Sequence, residues 1–126
     1  MANYQIARID TAAPRTELHD LLGLTGAEIS VNALPAGVSV PFVHAHRQNE
    51  EIYLVLEGAG RLFVDGRELP LAAGDCLRID PCGERCIAAA PDRGIRFVCV
   101  QVKAGSLGPY TAGDAVMCQG AKPGWL

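Results

Sequence analysis

The sequence predicts an all-β fold, an antiparallel sandwich or barrel of short strands, on three observations. Runs rich in aliphatic and β-branched residues recur from Glu28 onward, punctuated by Gly, Pro and Asp. No long amphipathic helix stands between them, which argues against a parallel sheet with helical crossovers. Asp65-Gly66 separates two of the runs and carries the residue types that a tight hairpin with positive φ at both turn positions needs.

The elements follow in order. Tyr4 to Ile9 alternates enough for a strand, and Thr16 to Leu22 offers one or two helical turns, with Thr16 as cap and Gly23 as stop. His19 falls in that turn with no evident partner and reads as a surface residue. Eight strands are then expected: Glu28 to Leu34, Phe42 to His46, Glu51 to Leu56, Arg61 to Val64, Glu68 to Leu71, Cys76 to Ile79, Arg85 to Ala88 and Ile95 to Val102. Ile52 to Leu56 and Phe97 to Val100 are apolar on both faces, so one face fills the barrel and the other needs cover from the N-terminal strand, the C-terminal tail or a second subunit, of which a homodimer is the expectation. After Lys103 the chain is Gly-rich and ends Pro123-Gly124-Trp125-Leu126; the expectation is an extended tail wrapping the barrel, with Trp125 docked as an anchor.

At 126 residues, 49% apolar and 20% charged, the chain has the size and composition of one globular domain, 1–126, with a barrel core at about 27–102. A net charge of −3 with scattered Lys and Arg gives no electrostatic case for nucleic acid or an anionic membrane. Neither an export signal nor a run of about 18 apolar residues is visible, which points to the cytoplasm. Five cysteines, an odd number in such a chain, read as free thiols rather than a disulfide framework.

The chemistry concentrates in Val43-His44-Ala45-His46. On a strand this spacing puts both imidazoles on one face, and Glu51 opens the next run, so a hairpin would return its carboxylate beside them. Tyr53 and Val55 would share the face of Glu51 and line a cavity. Two imidazoles and one carboxylate suit a divalent first-row metal such as Zn, Fe, Ni or Mn; the alternative is a pair of strand histidines satisfied by carboxylates, without metal. Arg78 and Asp80 share a face with Cys76, and Gln101 with Phe97 and Cys99. Arg78 is either a ligand-binding residue or a surface partner of Asp80.

Gly37, His44, His46, Glu51 and Gly58 resemble, in order and spacing, the first motif of the cupin superfamily, G-x5-H-x-H-x3–4-E-x6-G, with one extra residue in the first interval. Its second motif, G-x5-P-x-G-x2-H-x3-N, is similar to Gly74 through Pro81-Cys82-Gly83, again with one extra residue before the proline. The resemblance spans about 35–102 and implies an antiparallel double-sheet jelly-roll barrel with an interior pocket. It also implies a small-molecule ligand and one of several activities: metal-dependent dioxygenase, sugar isomerase or epimerase, or metal-free, non-catalytic binding or sensing. The second motif departs at its histidine, where this chain has Cys86, and at its asparagine, where it has Ala90. Cys86 is therefore either a fourth metal ligand beside His44, His46 and Glu51 or a packed thiol in a site without metal. In an enzyme, Tyr53 would be the catalytic candidate beside the open position.

Overall fold

The structure, a computed structural model, describes residues 2–126. Seven strands build two antiparallel sheets that share one long strand. They are β1 (Arg15–Glu17), β2 (Glu28–Leu34), β3 (Asn49–Val64), β4 (Arg67–Ala72), β5 (Cys76–Ile79), β6 (Arg85–Ala89) and β7 (Ile95–Lys103), with helix α1 (Leu18–Leu22) and a 3-10 turn at Thr111–Gly113. The fold is the expected all-β jelly-roll barrel with a short N-terminal helical turn.

β3 is the spine. Its first half pairs with β7 on one edge and β5 on the other, and its second half pairs with β4 and β6. The residues Glu51–Leu56 and Arg61–Val64, expected as two strands, are thus one strand that changes sheets. A bulge after Val55 and Gly58, at φ 83°, turn the corner without breaking the ladder. Asp65 and Gly66 form the expected hairpin turn, both at positive φ (48° and 84°). Alternation then fills the barrel: Ile95, Phe97 and Cys99 on β7, Tyr53 and Val55 on β3, and Ile87 and Ala89 on β6 point into one buried cluster.

Four expectations are corrected. Tyr4 to Ile9 forms no strand: the segment pairs with no sheet edge, and an extended segment without a ladder partner gains nothing over hydration. Phe42 to His46 is extended but makes only an isolated bridge, His44 to Arg85; Pro41 has no N–H to donate and the segment joins no continuous ladder. The tail does not wrap its own barrel: every residue from Lys103 to Leu126 is exposed, and Trp125 is 89% exposed. Thr16 does not cap the helix: it lies in β1, and Glu17 stands at the cap position. His19 is exposed, as expected, with Glu28 beside its Nδ1 and Asp20 3.0 Å from its Nε2. No helix among the described residues is long and apolar enough to cross a membrane.

The five cysteines are free thiols. Cys76, Cys82 and Cys118 are exposed, Cys86 is half-buried and Cys99 is buried among core side chains. A thiol reagent should therefore label three cysteines of the native protein quickly and Cys99 only on unfolding. Fast labelling of all five in the native state would contradict this packing.

Candidate functional site

The two histidines reach the site on an extended segment tied to the barrel by backbone bonds. His44 exchanges both of its backbone hydrogen bonds with Arg85 of β6, and the N–H of His46 donates to the Pro81 carbonyl at 2.8 Å. The imidazoles are thus set against β6 and the β5–β6 turn rather than by a hairpin with β3. Glu51 arrives from β3, whose alternation turns Glu51, Tyr53 and Val55 inward and Glu50 away.

Nε2 of His44 and of His46 lie 3.8 and 3.5 Å from Oε1 of Glu51, and the two rings stand nearly perpendicular, 5.1 Å apart. One donor atom from each of the three residues lies within 4.8 Å of the others. Donors bound at about 2.1 Å to a single ion stand roughly 3 to 4 Å apart, so this set needs little adjustment to close on a metal. His46 Nε2, 3.5 Å from Glu51 Oε1, is shielded from solvent and makes no hydrogen bond, as expected of a nitrogen that faces a non-protein partner; on His44 the shielded nitrogen without a hydrogen bond is Nδ1, not the Nε2 that faces Glu51. Burial lowers the pKa of His44, and the charges of Arg85 and Arg15 act in the same direction against the opposing pull of Glu51. Its imidazole is consequently neutral at pH 7, the form that ligates metal.

Arg85, invisible to the motif reading, completes the site. Its side chain is fully buried; Nη1 forms an ion pair with Glu51 Oε1 at 3.3 Å, and Nη2 donates to the Asp80 carbonyl at 2.7 Å. Cys86, the residue that spacing sets in the position of the family's histidine, does not join the cluster. Arg85, Ile87 and Ala89 take the inward side of β6, so Cys86 falls on the alternate side, where its thiol donates to the Val40 carbonyl at 3.1 Å. The signal was present in Arg85-Cys-Ile-Ala-Ala: if Ile87 is core, the same alternation brings Arg85 inward.

Glu51 is enclosed on its remaining sides. The Tyr53 hydroxyl lies 3.5 Å from Oε1, and the Cys99 thiol donates to Oε2 at 3.2 Å. Burial, reinforced by the Glu51 charge, pushes the pKa of both groups far up, so both keep their protons and act as donors. The Tyr53 ring leans on Phe97 with centroids 5.5 Å apart.

The cluster opens on a cavity of about 460 Å³. His44, Glu51 and Tyr53 form one part of its wall, Val40, Phe42, Ile87 and Phe97 an apolar part, and Arg15, Asn32 and Gln101 a polar part. Gln101 shares this interior with Phe97 and Cys99, as the alternation predicts. Arg15 is held by Asn32, its Nη1 donating to Oδ1 at 3.1 Å, and the buried Asn32 in turn donates to Ser30. Arg78 takes no part; it pairs with Asp80 at 2.9 Å on the surface.

A shared-strand double-sheet barrel with two imidazoles and a carboxylate beside its cavity is the architecture of the cupins. The chain belongs to that family: residues 31–101 match the Cupin domain profile. A cupin protein from Bacteroides fragilis is similar over 94% of this chain and 99% of its own, with 57% identity and a TM-score of 0.91. A Cupin 2 conserved barrel domain protein from Salinispora arenicola is similar over 82% of this chain and 92% of its own, with 23% identity and a TM-score of 0.68. A predicted oxalate decarboxylase from Thermotoga maritima is 29% identical over 60% of this chain and 64% of its own, with a TM-score of 0.56. No curated protein matches the chain at a significant level.

Proposed function

We propose that this cupin binds one divalent transition metal through His44, His46 and Glu51, and beside it a small polar or anionic metabolite in the barrel cavity. The observation that carries this reading is the convergence of a neutral imidazole, a second imidazole whose Nε2 makes no hydrogen bond and a buried carboxylate. When bound, the ion would supply a Lewis acid for an oxygen of the ligand. Around it, Arg85 pairs with the same Glu51 oxygen that faces the imidazoles, and Cys99 and Tyr53 fix the carboxylate's orientation by donating to it. Tyr53 retains its proton and directs it at Glu51, so it is no base for proton abstraction from a ligand, and what its hydroxyl still offers is an acceptor. Arg15, held on the cavity wall by Asn32 and paired through Nε with Glu17 at 3.1 Å, keeps guanidinium donors for a polar or anionic group of the ligand, and the Val40, Phe42, Ile87 and Phe97 wall favours an apolar body.

A second reading rests on Arg85. A fully buried guanidinium already neutralises Glu51, which is what a metal-free, non-catalytic binding or sensing cupin would need. The two readings part on metal content. Untagged protein dialysed against zinc, nickel, iron(II) or manganese is expected to hold one ion per chain. His44→Ala and His46→Ala should each remove it and cancel the metal-dependent rise in melting temperature. Failure of the unmodified protein to retain any of the four ions would leave the metal-free reading in place.

A further inference from the structure

A second group of metal-ligating side chains stands where β1 runs into α1 and β2 begins. Glu17 ends β1, His19 lies in α1 and Glu28 opens β2. The two strands pair antiparallel, with Glu17 opposite Ser30, and Gly23, at φ 63°, turns the chain back between them. One donor atom from each of Glu17, His19 and Glu28 therefore lies within 4.8 Å of the others. An imidazole and two carboxylates form a donor set that suits a divalent transition ion. The group is distinct from the barrel site. Glu28, Gln101 and Glu51 lie in one row across β2, β7 and β3, so two strand spacings, about 10 Å, separate Glu28 from Glu51, too far to share an ion.

The hydrogen bonding of this group is incomplete without a cation. His19 meets a carboxylate at each ring nitrogen, Glu28 Oε2 at Nδ1 and Asp20 Oδ1 at Nε2, the latter at 3.0 Å. A neutral imidazole donates from one nitrogen only, so one of these carboxylates would face a lone pair. An imidazolium would answer both, yet it leaves Glu28 Oε1, which is shielded from solvent and accepts no hydrogen bond. An ion between Nδ1 and Glu28 removes both defects: the lone pair and the free oxygen become ligands, and Nε2–H donates to Asp20. A ligating imidazole whose second nitrogen is held by a carboxylate is the common arrangement of histidine metal sites. Glu17 is shared with Arg15, whose Nε lies 3.1 Å from Oε1, and the His19 side chain is 46% exposed, so the ion is held more weakly here than one in the barrel.

We propose that Glu17, His19 and Glu28 bind a second divalent transition ion at the β1–α1–β2 corner, with Asp20 as a positioning residue that holds the His19 ring. This site is independent of whether the barrel holds metal. As the weaker of the two, it loads while zinc is free in solution and empties when free zinc is removed, which leaves the barrel ion as the one retained. Calorimetric titration with zinc should find two ions per chain in the unmodified protein and a single ion in His19→Ala. The double variant His44→Ala/His46→Ala should keep the corner ion, and adding Glu28→Gln, which preserves side-chain volume, should remove it. Asp20→Ala should weaken the corner ion by about 10–100-fold and leave the barrel ion unchanged. Should the barrel fail to bind metal, the unmodified protein would take up one ion that His19→Ala abolishes and the double variant retains, and the corner site would stand. Zinc uptake that is unaffected by both His19→Ala and Glu28→Gln overturns the proposal, as does a folded double variant that takes up no zinc.

Discussion

Replacing Arg85 with methionine is expected to destabilise the metal-free protein by about 3–5 kcal/mol, the usual cost of leaving one partner of a buried ion pair unpaired. Arg85 is wholly inaccessible, and its Nη1 is 3.3 Å from the Glu51 carboxylate, itself 3% exposed, so solvent cannot take the place of the lost cation. Methionine occupies a similar volume without the charge and also loses the bond to the Asp80 carbonyl. The same substitution should tighten divalent metal binding, because the guanidinium and an ion draw on the same carboxylate oxygen. Added metal should then restore part of the lost stability. Chemical denaturation with and without zinc measures both effects. Equal loss of stability in the two conditions would show that His44, His46 and Glu51 do not bind the ion and that Arg85 is the cation this site is built to contain.

Much of the fold could be read from period-two alternation and turn chemistry, because both are local. Glu28–Leu34 and Cys76–Ile79 have the strand bounds expected of them, and Asp65-Gly66 makes the predicted turn. The misses are non-local. Nothing in Phe42 to His46 reveals that its backbone meets only Arg85 and Pro81, so the segment reads as a strand when it is a tethered loop. Nor does Tyr4 to Ile9 reveal that the short strand Arg15–Glu17, and not this segment, pairs with β2. At the site, the spacing of His44, His46 and Glu51 anticipates their convergence, although the route differs. The exchange of Cys86 for Arg85 is a single-residue matter with a large consequence, since one step along a strand reverses which side chain faces the barrel. A motif counted by position chose Cys86; the apolar character of Ile87 would have chosen Arg85.

Gly58→Ala should be the most damaging single-methyl change in the barrel, costing about 3 kcal/mol or more from close contact and left-handed strain combined. A Cβ built at Gly58 would lie 1.9 Å from the Gly94 carbonyl oxygen and 2.9 Å from its carbon, both backbone atoms that cannot swing aside, and φ is 83°. That carbonyl also accepts the Ala59 N–H at 3.1 Å, so displacing it breaks the bond at the corner where β3 passes between sheets. Gly66→Ala provides the comparison: its φ is 84°, but nothing lies within 4 Å of the added methyl, so it should cost only about 1 kcal/mol of backbone strain. The difference between the two unfolding free energies isolates the contact with Gly94. Because Glu51 is carried by the half of β3 that ends at this corner, Gly58→Ala should also loosen the Glu51–Arg85 pair and lower metal uptake, whereas Gly66→Ala should leave uptake unchanged. Equal losses of stability in the two variants would mean that the close approach at Gly58 adds nothing beyond its φ.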